Sequence, residues 1–511
     1  MSDTPTETNG HTNAPPLPLD DRRGGLGEVV RISWPASVSM LNSTLMRFVD
    51  ALMVSFVGAI PFSAQFLAGM TAFIPESFAV GVLMVVNTYV AQNFGAGRLD
   101  RCSQYTWAGL RLALVFCVLI APLALLARPI FELMRQGPEF GNPPELIEME
   151  VMYFRYMVLA IFFTLTARPL EQFFYGIHRP RVVLVGSIIT NVVNIIGAYT
   201  LIFGSEAIMG HLRHLGMEVT LPHWSARGLE GAAIAVVVSW VVYFAILLGV
   251  FLSGPMDRQY RTRTATRVLW SDIKDIFRTG WPAGVQFLND IGPWVIMSAI
   301  VSSFGWEHLT ATSVAMRWMP LSFMPALGIG IAATALVGKY LGAGRPDIAR
   351  RRTHTALKLT VAYMGLCGLA FLIFREEMVR FFITVLPTEP GQEALASEQV
   401  ERIVRIGGGV MICAALFQLF DAVGITYISA LRGAGDTLGP MLIVICTSWI
   451  LVVGGGLFTV WAFPQLGSVG PWIAGSVYVV VLGILMTWRF ERGAWRKIDL
   501  LKRGDATVTG P

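Results

Sequence analysis

Four acidic side chains stand inside long apolar stretches: Asp50, Glu76, Asp290 and Asp421. A charge at the centre of a bilayer costs about 2.5–3.5 kcal/mol on insertion scales, so such residues persist where they face a cavity or a partner. A carboxylate withdrawn from water also holds its proton more tightly, which suits H⁺ exchange near neutral pH. Asp421 has no basic residue within a helical turn, so no local ion pair accounts for it. Asp50 follows Arg47 by three residues, on the same helix face. Two readings stand there: an ion pair that neutralises both charges, or a titrating carboxylate that takes H⁺ or Na⁺.

Asp290 precedes Gly292 and Pro293. Proline removes the hydrogen bond to the carbonyl four residues back, here Asn289. A freed Asn289 carbonyl beside Asp290 forms half of a site for a hard cation such as Na⁺. The alternative is a kinked helix with Asp290 capped by its neighbours. Glu76 follows Pro75 and either lines a cavity or faces a polar helix contact. Arg317 either pairs with Asp290 or Asp421, which would hold that acid ionised, or snorkels to an interface. Asn191 and Asn194 share a face at i,i+3 spacing. They suit contact with a carboxylate or cation, and equally a hydrogen bond between helices.

Other chemistries lack their residues. The HxxH of His211 and His214, with His223 nearby, reads as a solvated loop rather than a metal site. Neither GAGR turn is followed by the GK[ST] of a phosphate-binding loop, and no GxSxG or Ser–His–Asp order supports catalysis. Cys102, Cys117, Cys367, Cys413 and Cys446 are scattered without CxxC spacing. The expectation is a protein that is not an enzyme and holds no metal or cofactor.

The elements that carry these residues follow from composition. The chain has 511 residues, 54% hydrophobic and only 14% charged. Soluble domains carry about 25% charged residues, so a cytosolic enzyme is excluded and a polytopic membrane protein remains. A helix spans a bilayer with about 20 mostly apolar residues. Twelve segments qualify: 29–52, 62–92, 104–127, 152–176, 182–204, 229–252, 273–303, 310–340, 356–374, 404–430, 438–463 and 468–488. Placing the N-terminus in the cytoplasm puts all five lysines inside, and the outside loops 128–151 and 375–402 are acidic. The net charge of +5 is therefore a topology signal and implies no nucleic acid.

The chain also repeats itself. Residues 34–42 read WPASVSMLN and residues 281–289 read WPAGVQFLN; GAGRLD at 95–100 returns as GAGRPD at 342–347. Both pairs share an offset of 247. The expected fold is an all-α polytopic membrane protein, twelve helices in two homologous six-helix bundles. Its divisions are a disordered cytoplasmic tail at 1–27, a first lobe at 28–253, a cytoplasmic linker at 254–271, a second lobe at 272–490 and a cytoplasmic tail at 491–511. Two parallel bundles around a central cavity make a transporter architecture. A channel would instead close its pore from several subunits, and this chain is expected to be a monomer in the lipid bilayer.

The WPA openings, FVD at 48–50, AQNFGAGR at 91–98, GIGIAATALVGKYLGAGR at 328–345, FQLFDA at 417–422 and LRGAGDT at 431–437 resemble the multidrug and toxic compound extrusion family, MATE. Pro282 with an acid eight residues on, Asp290, is similar to its NorM-like branch. The resemblance covers roughly residues 28–490. It implies an antiporter of a bacterial inner membrane that expels small organic cations and drugs in exchange for inward H⁺ or Na⁺. It implies Asp50 as the acid of the first lobe with Asn194 as its polar partner, and Asp290 and Asp421 as the cation pair of the second. Phe417 and Gln418 stand beside Asp421, with Phe417 where some members have Tyr. Ala198 replaces a second Asn or Asp that the family often has. Fewer oxygen ligands favour H⁺ over Na⁺ as the coupling ion. The alternative within the superfamily is a flippase for a lipid-linked or anionic substrate, which Arg47 and Arg317 on a shared cavity would favour.

Overall fold

The computed structural model describes residues 25–134, 144–214, 223–385 and 397–501. The expected tail at 1–27 lies almost wholly outside them. All regular structure among the described residues is helical. Twelve long rods follow in chain order: α1 (Leu26–Ser55), α2 (Ile60–Gly95), α3 (Leu99–Ala124), α4 (Pro144–Gly176), α5 (Pro180–His214) and α6 (Gly228–Phe251) in the first half. The second half holds α7 (Trp270–Ser302), α8 (Trp306–Gly342), α9 (Pro346–Ile373), α10 (Ser397–Ala434), α11 (Leu438–Ala462) and α12 (Val469–Glu491).

Ten of these are long and apolar enough to cross a bilayer by themselves. The other two, α1 and α4, have 30 and 33 residues and carry Arg47, Asp50, Arg168 and Glu171. At 1.5 Å per residue both are long enough to cross. They cross as parts of a bundle, with their polar faces turned away from lipid. The buried apolar side chains gather into two large clusters, one drawn chiefly from residues 36–283 and the other chiefly from 297–495.

Rods α5, α7 and α11 are interrupted within their length, as is α2 at residues 84–85. Rod α7 stops at Asn289 and restarts at Gly292, as Pro293 requires. Gly204 in α5 sits at φ 76°, where a side chain would strain the backbone. Rod α11 widens to i→i+5 spacing over Ser448–Gly454. That wide turn meets the α7 break: Asn289 Nδ2 donates to Ser448 Oγ at 3.2 Å, and Trp449 Nε1 donates to Asn289 Oδ1 at 2.8 Å.

The repeat reappears in the packing between halves. Helix α1 packs on α8, and α7 packs on α2. A Cβ on Gly95 would run into the carbonyl of Lys339, and one on Gly342 into the carbonyl of Gln92. The offset of 247 carries each of these pairs onto the other. Gly81 against Gly284 and Gly328 against Ser37 form a second pair related in the same way. Only glycine lets the backbones approach this closely, as small residues do in other membrane bundles.

Polar bonds reinforce the contact at Lys339. Glu28 accepts from Lys339 Nζ at 2.9 Å, Tyr340 OH at 2.7 Å and Arg352 Nε at 2.8 Å. Arg101 pairs with Asp272 at 3.1 Å. The 254–271 segment lies along α3, its Tyr260 and Thr262 carbonyls accepting from Ser103 and Trp107.

Candidate functional site

A cavity of about 540 Å³ opens between α1, α2, α4, α5 and α6, with Ile291 of α7 and Met324 of α8 reaching its wall. That volume suits a drug-sized molecule. Phe62, Phe66, Met70, Phe73, Met157 and Trp240 form much of its apolar lining. Among them stand five charged residues: Arg47, Asp50, Glu76, Arg168 and Glu171.

Asp50 is 8% exposed, and what exposure it has faces this cavity. Its Oδ2 accepts from Gln65 Nε2 at 2.8 Å, and Oδ1 has no hydrogen-bond partner. Gln65 also donates to Tyr153 OH at 3.4 Å. The Arg47–Asp50 ion pair open in the sequence does not form: Arg47 has no hydrogen bond or ion pair among the described residues. The charges that act on its guanidinium are those of Arg168 and Glu76. Helix spacing fixes which face two residues share but leaves the rotamers free, and Gln65 from α2 takes the place Arg47 would have had.

Glu76 lines the cavity and accepts from Thr164 Oγ1 at 2.7 Å, so both sequence readings of it hold together. Arg168 pairs with Glu171 at 2.8 Å and lies over the Trp240 ring at 5.8 Å. Asn191 donates to Asn42 Oδ1 at 2.7 Å, a contact between α5 and α1. Asn194 is fully buried, and neither of its amide atoms has a partner. The polar partners of Asp50 in this structure are therefore Gln65 and, through it, Tyr153. Both were invisible as such in the sequence, because a Gln and a Tyr in apolar helices carry no spacing signal.

In the second half Asp290 and Asp421 lie within electrostatic reach of each other. Arg432 acts electrostatically on Asp290, and both acids act on Tyr478. The expected pairing of Arg317 with either acid is not made: Arg317 is exposed, and the cation near Asp290 is Arg432 of the LRGAGDT segment. Asn289 holds α11 as described above. Phe417 is buried against Trp294, with ring centroids 5.6 Å apart. Gln418 accepts from Ser322 Oγ at 2.8 Å. None of these second-half residues lines the first-half cavity.

No cluster of three or more His, Cys, Asp or Glu is arranged to hold a metal among the described residues. His223 lies 3.8 Å from Glu206, and the side chains of His211 and His214 fall outside the described residues. All five cysteines are free thiols.

Twelve rods in two related halves, with an apolar cavity holding charged groups, define a polytopic membrane transporter. A family model described as MatE matches residues 35–200 and 282–456, and the chain belongs to that family. Its relatives include a probable multidrug resistance protein NorM of Rhizobium meliloti, 26% identical over 458 residues, covering 89% of this chain and 90% of the relative. Another is the multidrug resistance protein PmpM of Pseudomonas aeruginosa, 27% identical, covering 97% and 98%. Among solved structures, a MOP superfamily transporter of Pyrococcus furiosus superposes with a TM-score of 0.76 at 18% identity, covering 93% of this chain and 97% of the other. Its authors describe a binding pocket of reverse polarity. The chain is thus a membrane transporter of the MATE family, and its match to the family lies in both halves, in the order the internal repeat requires.

Proposed function

We propose that this transporter is a secondary antiporter. It exports organic cations in exchange for inward H⁺, with Na⁺ as the weaker alternative, by alternating access between its two halves. The observation that carries the proposal is Asp50. It is a carboxylate on the wall of a drug-sized apolar cavity, with one oxygen hydrogen-bonded and the other unpartnered. Ionised, it attracts a cationic drug, and the aromatic walls take the drug's apolar body. Protonated, it releases the drug. One proton needs one carboxylate, whereas Na⁺ needs several oxygens, and the positive charge of Arg432 acting on Asp290 disfavours a cation at the second-half pair. The membrane potential adds about 2.3 kcal/mol per charge per 100 mV. The setting is a bacterial inner membrane with both termini in the cytoplasm, and the working unit is a monomer that needs no cofactor.

The test is ethidium transport in proteoliposomes with pH and Na⁺ gradients imposed separately. Transport driven by the pH gradient alone and lost in Asp50→Asn is the expected result. Transport that survives in Asp50→Asn and fails in Asp421→Asn would move the coupling to the second half. Drive by Na⁺ alone would overturn proton coupling.

A further inference from the structure

The segment between the two halves is held to α3 by three side chains on one face of that helix. Ser103 Oγ donates to the Tyr260 carbonyl at 2.8 Å, Trp107 Nε1 to that of Thr262 at 2.9 Å and Arg111 Nη2 to that of Thr266 at 3.0 Å. At 1.5 Å per residue these anchors span about 12 Å of α3. From Arg261 to Leu269 the segment forms no regular helix, and most of its side chains are exposed. Irregular backbone is not found against lipid tails, so this stretch lies at the depth of the lipid headgroups. Leu269 and Trp270 follow it, the latter 76% exposed, as apolar and aromatic anchors do at that depth.

The charges there are one-sided. Arg111 is exposed and gives one bond to the Thr266 carbonyl, which places its guanidinium against the residue that precedes Arg267. Arg267 is exposed and has no hydrogen bond or ion pair among the described residues. The same holds for Lys274 and Arg278, which follow Trp270 at i+4 and i+8 on the exposed face of α7. The acids of the region are committed elsewhere. Asp257 Oδ1 accepts from the Arg263 backbone, Asp272 is buried and pairs with Arg101, and Asp275 has its own partner within the protein. Two exposed arginines thus meet at one point of the linker with no carboxylate bonded to either. Like charges held together repel, and an anion between them replaces the repulsion with charge-assisted hydrogen bonds.

We propose that the surface where the linker lies on α3 binds the phosphate of an anionic phospholipid, with Arg111 and Arg267 on the phosphate oxygens. Lys274 and Arg278 add positive charge, and Trp270 anchors the segment at headgroup depth. The proposal goes beyond the efflux reading and needs only that the chain spans a membrane. A guanidinium suits phosphate because its fork of N–H donors matches two oxygens. An anionic lipid is selected over a zwitterionic one because a choline headgroup would bring one more positive charge to a site that already holds several.

The experiment is native mass spectrometry of the purified full-length protein, delipidated and then titrated with phosphatidylglycerol or phosphatidylcholine of the same acyl chains, without drug or gradient. The wild type should bind its first phosphatidylglycerol about tenfold more tightly than phosphatidylcholine, from roughly fivefold per basic residue at an anionic surface. Arg111→Gln with Arg267→Gln should bring the two lipids within about twofold of each other, whereas Arg111→Lys with Arg267→Lys should keep most of the preference. The repeat supplies a control, because the offset of 247 carries Arg111 onto Lys358 of α9. Arg351→Gln with Lys358→Gln removes the same charge from exposed positions of α9 and should leave the preference intact. Equal binding of the two lipids by the wild type, which needs no variant to fold, would overturn the proposal. So would a preference that survives in Arg111→Gln with Arg267→Gln, or one that falls as far in the α9 pair, since this site would then not select the lipid. Displacement of phosphatidylglycerol by an equal concentration of inorganic phosphate would make this a site for soluble phosphate and overturn the lipid claim. If the lipid preference holds while ethidium moves under neither gradient, the efflux reading fails and the lipid site stands; if ethidium moves and the preference is absent, the lipid site fails alone.

Discussion

Glu28→Gln offers the sharpest test of how the two halves are held together. The carboxylate sits in the first turn of α1, outside the apolar stretch 29–52, and is 7% exposed. It takes three bonds from the second half: Lys339 at 2.9 Å, Tyr340 at 2.7 Å and Arg352 at 2.8 Å. The side chains of Lys339 and Arg352 are 8% and 1% exposed, so both cations are dry. An amide in place of the carboxylate leaves two buried cations facing a neutral group. Removing one partner of a buried ion pair costs about 3–5 kcal/mol. In an alternating-access cycle this seal must break whenever the cavity opens to that end. The loss therefore falls on the sealed conformation alone. At 1.36 kcal/mol per tenfold, about 3 kcal/mol shifts the balance between the two conformations by more than a hundredfold. The assay is the rate at which a membrane-impermeant maleimide labels a cysteine at Ser33, in a background without the five native cysteines. Ser33 is buried at 2%, just beyond Glu28 on α1. The wild type should label slowly, and Glu28→Gln at least tenfold faster. An unchanged labelling rate in a folded Glu28→Gln protein would refute the claim that this cluster holds the sealed end.

The same cluster sets a pH dependence. Burial raises the Glu28 pKa, but attraction to Lys339 and the bonds from Lys339, Tyr340 and Arg352 outweigh it, so the folded value lies below the ordinary 4.5. The unfolded carboxylate then binds a proton more readily than the folded one. Stability from the seal should be full above about pH 4.5 and fall as the pH drops through the lowered folded value, and thermal melting between pH 3.5 and 7 reads this. Gly342→Ala drives a Cβ into the carbonyl of Gln92 and should destabilise the sealed conformation by about 1–3 kcal/mol, with Gly95→Ala matching it across the repeat; melting of the two variants checks the size and the symmetry. Gln65→Leu removes the hydrogen bond that Asp50 receives and should slow pH-driven ethidium uptake by at least tenfold at equal expression; uptake within twofold of wild type would show that Asp50 works without it.

Much of this molecule is legible before any coordinates. Twelve apolar stretches, an internal repeat at one fixed offset and a lack of surface charge determine a polytopic helical protein in two related halves. Lipid leaves backbone groups no partner outside the helix, so length and apolarity specify ten of the spans, while α1 and α4 carry charges that only the bundle accommodates. The break in α7 was equally legible, because proline removes its hydrogen bond whatever surrounds it. Asp50 announced itself for the same kind of local reason: a charge in an apolar helix is expensive and needs a cause.

What surrounds each charge was settled only in three dimensions. Gln65, rather than Arg47 three residues away, bonds Asp50, and Arg432, rather than Arg317, acts electrostatically on Asp290. Asn194 lies apart from Asp50's hydrogen bonds, while Asn191 joins α5 to α1. Partners of this kind come from different helices, brought together by helix rotation and crossing, and no periodicity along one helix encodes them. The glycine contacts show both levels at once. The sequence gives Gly95 and Gly342 the same place in the two halves, and only the packed structure reveals that each lies against the carbonyl of the other half's equivalent position.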